Sequence, residues 1–484
     1  MATRRPHPKS KLGCTECKQR RVKSPKGTGS PCQGPLWSLA GPYYIQEENL
    51  NCMSKSGPEW SIPVQRFGTK VDPSSVMKAG PVVKTAENVV HHKEEESPAS
   101  LPAQNLTDVC VRDGLLARCS IPAQSFYNDV LRHFATDTIP SYSAGAACQA
   151  AWRNALPDLA AKYSFVTRGM LALGLLHISH LATTTEETRE SYQKKAATQM
   201  NAAMDQYRIE VQHVSTENAN ALFAFASMLS LFVLSTSASE CSLALNAFRA
   251  DANQCDHRAK LAASMVHTIC RIFRSIRGVL VILVPCWNHL QSGPLQLVVS
   301  RDWPAAIPET ENDIRNDEKL CQLEKMWSRP DRAYDYSFDT LRLTLKSLRE
   351  SFALVSRLER LGSTLKEKGN GEFDWNCAIH WPVQLTLDFL LLLEQQRMEA
   401  WCIVAHFAIL PAKARDVPWL DGLAENMITT AALVIGEEHW TWIAWPVEAV
   451  GLDLKILQNP VAASIPAASP PHRPSLEADR ACPR

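Results

Sequence analysis

Residues 215–234 read STENANALFAFASMLSLFVL, and this stretch sets the expected fold of the chain. Ser215 and the polar residues after it supply a helix cap, and Glu217 places an acid in the first turn. The residues that follow, 221–234, are apolar apart from two serines, which is typical of a helix buried in a core. The stretch therefore predicts a buried helix with a defined start.

Helical periodicity recurs on both sides of this stretch. Residues 165–181 place apolar side chains at helix spacing, and residues 191–214 are good helix formers without an internal glycine or proline. Similar patterns cover 336–361, 385–410 and 420–435. Strand-type alternation is scarce and no repeat period stands out, so the sequence predicts a mainly α fold with an all-α body.

The composition is that of a folded protein with a basic end. Apolar residues make up 45% of the 484 residues and charged residues 21%, which is typical of a globular chain. Residues 1–26 carry a net charge of +8, because nine lysines and arginines face only Glu16, and the rest of the chain carries −7. Attraction for polyanions is therefore concentrated at this end, although a solvated tail or a nuclear-import signal has the same composition.

The sequence favours a reducing compartment and no membrane. The fifteen cysteines lack paired spacing beyond Cys52, and no signal peptide opens the chain. The apolar runs at 279–286 and 385–393 are too short to span a bilayer. We therefore expect a soluble protein that is not secreted.

Composition also divides the chain into four parts. Residues 61–124 mix proline, serine, glycine and charge, as linkers do, and the stretch from residue 459 onward is rich in proline and alanine. The expected parts are a cysteine-containing segment, a disordered linker, a helical domain and a disordered tail, at 1–63, 64–123, 124–455 and 456–484.

Residues 11–24 read KLGCTECKQRRVKS, in which two cysteines are followed at once by a basic run. A thiolate pair next to cationic residues can bind a metal ion and approach a phosphate backbone. A Cys-x2-Cys pair alone can also be a redox pair. The residues concerned are Cys14 and Cys17, followed by Lys18, Arg20, Arg21 and Lys23.

This segment resembles the first half of the fungal binuclear zinc cluster (Zn2Cys6), in which six cysteines share two zinc ions and the basic residues contact DNA. The family pattern is Cys-x2-Cys-x6-Cys, a loop, Cys-x2-Cys and a final cysteine. Cys32 matches the fourth place, and Cys52 matches the fifth once residues 34–50 are left out. The third place falls on Ser24 and the sixth near Trp60, neither of which is a good zinc ligand.

Three interpretations of the incomplete cluster stay open. In the first, residues 34–50 are an intron-like insert retained in the gene model, and the exons on either side are badly joined. In the second, the chain offers four thiolates to a single Zn²⁺, from Cys14, Cys17, Cys32 and Cys52. In the third, the cysteines bind no metal and lie in a disordered basic tail.

The helical part of the chain resembles the regulatory domain of fungal zinc-cluster factors related to sterol-uptake-control regulators. The segments that carry this resemblance follow the order seen in that domain, at 152–181, 217–224, 277–279, 293–295, 381–382, 389–410 and 440–446. The similarity covers roughly residues 124–455, and most of the matching positions are apolar.

Together the two resemblances imply a nuclear, zinc-dependent regulator of RNA polymerase II genes, of the pathway- or cluster-specific kind. The family often binds CGG-like duplex sites as a homodimer, and its DNA-contacting positions fall here on Lys18, Arg20, Arg21 and Lys23.

Some members also bind a sterol in a helical pocket, which implies an apolar small-molecule effector as a further candidate partner. Four tryptophans are candidates to line such a pocket, although tryptophans at helix spacing are more often ordinary core. They are Trp401, Trp440, Trp442 and Trp445.

The sequence does not favour an enzyme. It contains no GxSxG, HExxH or phosphate-binding glycine loop. Asn316, Asp317 and Glu324 share two spacings with the magnesium motif of helical terpene cyclases, but Leu320 occupies the hydroxyl position, and polar residues flanking a helix start explain them better. The alternative to a DNA-binding regulator is a helical regulatory or ligand-sensing module that has lost DNA binding.

Overall fold

A computed structural model describes residues 120–181, 185–250, 254–301, 303–328, 333–367, 373–414 and 417–457. These residues are 83% helical and contain no strand, so the predicted all-α fold of the body is confirmed. The predicted zinc-cluster segment, linker and tail lie outside the described residues, apart from 120–123 and 456–457.

The described residues contain fifteen α-helices. In chain order they are α1 (Ile121–His133), α2 (Ile139–Tyr142), α3 (Ala146–Lys162), α4 (Ser164–His180), α5 (Glu186–Glu210), α6 (Ala219–Ala250), α7 (Gln254–Gly278), α8 (Leu280–Gln291), α9 (Gln296–Val299), α10 (Glu311–Cys321), α11 (Ser337–Glu367), α12 (Leu387–Glu394), α13 (Met398–Phe407), α14 (Leu423–Ile435) and α15 (Ala444–Val450). A π-helical turn covers Phe134–Thr138, and 3-10 turns cover Val211–His213, Gln322–Met326, Trp375–Ile379, Trp381–Gln384, Pro411–Ala414, Pro418–Leu420, Glu437–Ile443 and Leu454–Leu457.

Helix α4 is the most enclosed element of the first half, where it packs against α1, α3, α5 and α6. Two glycines allow this close packing. A Cβ atom on Gly169 would lie 2.9 Å from Cδ2 of Phe225, and one on Gly174 would lie 2.9 Å from Cγ1 of Val130. The neighbouring helices therefore approach α4 more closely than any larger residue would allow.

The buried helix predicted from residues 221–234 is confirmed as part of α6. It begins after a capped turn, in which the side-chain oxygen of Asn218 accepts from the backbone N–H of Ser215 at 2.9 Å. Residues 219–248 are long and apolar enough to cross a membrane by length and composition, with a mean hydropathy of 1.8 in the most apolar window. In this fold 61% of that window is buried, and α6 packs against α4, α7 and α8. The core helix of a folded body accounts for such a composition.

The helical pattern over 385–410 forms two helices rather than one, because the chain breaks between α12 and α13. Gln396 has a φ of 54°, in the left-handed region. Its N–H donates to the carbonyl of Leu393, and the N–H of Arg397 donates to the carbonyl of Leu392, both at 2.9 Å. These two bonds are the Schellman arrangement that ends a helix, here with glutamine in the place that glycine usually takes.

The described helices share one apolar core. Phe273 of α7, Trp381, Phe389 of α12 and Phe407 of α13 pack ring to ring, with centroids 4.7 to 6.2 Å apart. The first and last parts of the body also meet, since Nε1 of Trp419 donates to Oγ of Ser141 at 3.0 Å. Helices far apart in sequence therefore form a single body.

Candidate functional site

The residues predicted from sequence to bind zinc and DNA lie outside the described residues. They are Cys14, Cys17, Cys32 and Cys52 for zinc, and Lys18, Arg20, Arg21 and Lys23 for DNA. Within the part of the chain that the structure describes, no group of three or more His, Cys, Asp or Glu side chains is placed to hold a metal ion. Those assignments therefore stay predictions.

Two of the four tryptophans that are candidates to line an effector pocket donate hydrogen bonds to backbone carbonyls of the preceding helix. The side chain of Trp401 is fully buried, and its Nε1 donates to the carbonyl of Leu393 at 3.0 Å. Nε1 of Trp440 donates to the carbonyl of Ala432, also at 3.0 Å. These hydrogen bonds satisfy the indole N–H groups inside the fold, as packing tryptophans require.

The other two tryptophans also pack against the core. Trp442 is half-buried, and the ring of Trp445 lies 5.8 Å from Phe352 and 5.5 Å from His406. The ammonium group of Lys319 lies 4.6 Å above the Trp445 ring, a cation–π contact. The arrangement favours the interpretation of these residues as ordinary core.

One of the residues compared with a magnesium motif, Asp317, is held in an ion pair. Asp317 accepts two parallel hydrogen bonds from Arg349 of α11, at 2.6 and 2.7 Å. This pairing raises the pKa of the Arg349 guanidinium. Asn316 and Asp317 lie inside α10 rather than flanking its start, so that part of the sequence interpretation is wrong. A cavity of about 10 Å³ beside them has room for about one water molecule, which is too small for a substrate.

A second polar cluster fixes α10 against α11. The carboxylate of Asp313 is buried and accepts from the backbone N–H of Thr310 at 2.9 Å, from Oγ of Ser356 at 2.5 Å and from Arg360 at 3.1 Å. Burial alone would raise the pKa of Asp313, but the hydrogen bonds from Ser356 and from the backbone N–H groups of Thr310 and Glu309 outweigh it and hold the pKa far below its usual range. The cluster is a capping box extended by an arginine.

An open groove of about 610 Å³ runs beside this cluster. Its charged side chains are already paired, because Arg360 contacts Glu309 and Glu359 contacts Lys413. The groove is lined by Thr310, Asn312, Ser356, Glu359, Arg360 and Ser363. Its polar groups therefore contribute to the packing of α10 and α11 and leave no charge directed at a ligand.

A histidine pair among the described residues, which sequence reasoning missed, brings two titratable rings into contact. His133 is the last residue of α1, and its Nε2 lies 3.1 Å from Nδ1 of His177 on α4. Oγ1 of Thr138, at the end of the π-helical turn, lies 3.1 Å from the same Nδ1. On the other side of His133, Nδ1 lies 3.3 Å from the Asp137 carboxylate. Single π-helical turns often occur at functional sites.

The pair is enclosed on its inner side. The ring of Trp419 stacks on His177 with centroids 5.6 Å apart, and one helical turn later His180 contacts Oγ of Ser235 at 2.9 Å. Burial, with a smaller contribution from the neighbouring His133, lowers the pKa of His177 to about 4. Burial also lowers the pKa of His133, against the opposing effect of Asp137. At neutral pH both imidazoles are therefore uncharged.

The contacts around the pair indicate which ring nitrogen carries the proton in each histidine. A carboxylate only accepts hydrogen bonds, so the Asp137 carboxylate 3.3 Å away favours the tautomer of neutral His133 that has its proton on Nδ1. In that tautomer Nε2 of His133 is an acceptor, and Nδ1–H of His177 donates to it across 3.1 Å. The three side chains therefore lie in a row, from buried His177 through half-buried His133 to exposed Asp137.

No protein-family model matches the chain, and no curated protein sequence matches it.

Proposed function

We propose that the chain is a zinc-dependent regulator of transcription, with a DNA-reading segment at residues 1–63 and a helical regulatory domain at 124–455. The observation that carries this proposal is the Cys14-x2-Cys17 pair followed at once by a basic run, in a segment of net charge +8. Thiolates hold Zn²⁺ tightly, and clustered lysines and arginines neutralise phosphates. The proposed location is the nucleus, and the proposed partner is duplex DNA with CGG-like sites, bound as a homodimer.

The packing of the body supports treating 124–455 as one domain. The ring of Trp152 stacks on Phe223 with centroids 6.3 Å apart, and Trp381 contacts Phe273 and Phe407. These contacts join segments of the resemblance that are distant in sequence. The ion pair with Arg349 engages the Asp317 carboxylate, which argues against a role for Asp317 as a magnesium ligand.

The proposal sets an upper limit on the number of zinc ions that the chain binds. Four thiolates at family positions saturate one tetrahedral ion, so the full chain should bind about one Zn²⁺ through them. Metal analysis of the purified chain and of Cys14→Ser/Cys17→Ser should show the loss of that ion. Cys148→Ser, a change in α3, is the matched control and should keep it. Two tightly held ions lost together in the double variant would contradict the ligand count.

DNA binding is tested at fixed salt with the full chain. Arg20→Ala/Arg21→Ala should weaken binding to every duplex and flatten the salt dependence, because fewer counterions are released. Lys194→Ala/Lys260→Ala removes the same charge from exposed positions of the body and should leave both unchanged. If both double variants behave alike, the DNA contact does not lie in the basic run.

The repaired chain separates the DNA reader from the alternative, a regulatory or ligand-sensing module that has lost DNA binding. Deleting residues 34–50 restores Cys-x2-Cys spacing, and Ser24→Cys with Trp60→Cys returns the missing ligands. The repaired chain should bind two zinc ions and prefer CGG-containing over scrambled duplexes, because metal binding orders the reading segment. Two bound zinc ions without any sequence preference would favour the alternative module.

A further inference from the structure

We propose that His133 and His177 form a binding site for a divalent transition-metal ion, distinct from the N-terminal cysteines. The ion would lie between Nε2 of His133 and Nδ1 of His177, in place of the hydrogen bond that joins them. Imidazole nitrogens suit Zn²⁺, Ni²⁺ and Cu²⁺. The proposal is independent of the transcriptional role.

The spacing of the two nitrogens fits one shared ion. With metal–nitrogen bonds of about 2.05 Å, two nitrogens 3.1 Å apart subtend an angle of about 98° at the metal. That angle lies between the values for octahedral and tetrahedral coordination. Oγ1 of Thr138, 3.1 Å from the same nitrogen of His177, is close enough to contribute a weak oxygen ligand.

The surroundings of His133 match those of a ligating histidine. Histidines that bind metals donate their other ring N–H to a carboxylate or carbonyl, which fixes the ring and raises its basicity. The Asp137 carboxylate lies 3.3 Å from Nδ1 of His133, on the side away from His177. The His133 side chain is 19% exposed, so an ion can reach the pair from solvent.

Metal binding moves one proton within the pair and leaves the number of bound protons unchanged. In the metal-free pair, with the proton of His133 on Nδ1, His177 donates its Nδ1–H to Nε2 of His133. Ligation by Nδ1 moves that proton to Nε2, and His133 keeps its proton on Nδ1 towards Asp137. No proton is released at neutral pH. Two imidazoles and one weak hydroxyl ligand leave coordination positions of the ion open. Water fills these positions, and binding is reversible.

Nickel titration of the full chain tests the site. Wild type should bind one more Ni²⁺ than His177→Gln and His133→Gln, as measured by calorimetry near neutral pH. His180→Gln, one turn along α4 and in contact with Ser235, is the matched control and should keep the ion. Asp137→Asn should weaken binding of that ion by about 10- to 100-fold, because the orienting carboxylate is lost.

A spectroscopic readout keeps the test independent of folding. Trp419 stacks on His177, so the paramagnetic ion should quench a fluorescence component that is missing in Trp419→Phe. Far-UV circular dichroism establishes that each variant is folded. Equal nickel stoichiometry in wild type and in folded His133→Gln, or quenching that is the same in wild type and Trp419→Phe, would show that the pair shares only a proton.

Discussion

His406 should make the stability of the protein depend on pH. The side chain is 3% exposed, and burial lowers its pKa to about 4 although its ring contacts the carbonyl of Cys402 at 2.8 Å. The unfolded chain has the ordinary histidine pKa of about 6.5. The folded state therefore resists protonation, so this stability is fully present above pH 6.5 and is lost as pH falls towards 4.

The size of the effect follows from the difference in pKa. A difference of about 2.5 units corresponds to about 3 kcal/mol once the pH is below 4, and to about 2 kcal/mol between pH 7.5 and pH 5. That loss is a sizeable part of the stability of a typical protein. His406→Gln keeps a donor at this position and removes the titration, so it should lose about 2 kcal/mol less than wild type over the same interval.

Urea unfolding followed by circular dichroism at pH 7.5 and pH 5 measures the effect. Comparing the change with pH, rather than stability at one pH, cancels the packing cost of the substitution. His439→Gln is the matched control, since His439 makes the same contact with the carbonyl four residues earlier, at 3.0 Å, but is 39% exposed. His439→Gln should lose as much free energy of unfolding as wild type between pH 7.5 and pH 5. Equal losses in wild type and His406→Gln would refute the inference that buried His406 stays neutral.

Two further sets of substitutions test helix packing and ion pairing. Gly174→Ala should lower the free energy of unfolding by about 1 to 3 kcal/mol, because its Cβ would lie 2.9 Å from Val130, whereas Gly362→Ala meets only ordinary contacts and should be neutral or stabilising by up to about 1 kcal/mol; thermal unfolding compares the two. Asp317→Asn and Arg349→Met, with their double variant, should give a coupling energy of about 1 kcal/mol in urea unfolding. A Mg²⁺-dependent rise in Tm that is specific to the native Asp317 would instead support a metal role for that residue.

Local sequence predicts the helices better than it predicts their ends. The apolar pattern at 165–181 corresponds to α4, and the capped apolar stretch at 221–234 lies in α6. The break at Gln396 has no signal, because residues 394–397 contain neither glycine nor proline. Glutamine takes the left-handed conformation there because two turn-ending hydrogen bonds and the packing on both sides require it.

The histidine pair marks a second limit of sequence reasoning. His133 and Asp137 are four residues apart and can be recognised as neighbours on one helix face. His177 is 44 residues further along from His133, and the two rings meet only because α1 packs against α4. Ligand spacing along a chain identifies local metal motifs such as Cys14-x2-Cys17, whereas a pair made by helix packing has no fixed spacing.

The hydrogen bond between Ser141 and Trp419 has a consequence for how the protein is made. Its partners are 278 residues apart, so the ribosome must add that many residues before the contact can form. Trp419 follows His177 by 242 residues, so at about 5 to 20 residues per second the face of His177 that Trp419 covers stays uncovered for roughly 12 to 48 s. A nascent chain that stops before Trp419 keeps this surface uncovered and becomes a substrate for chaperones and proteases, so truncation just before Trp419 should reduce cellular abundance out of proportion to the length removed.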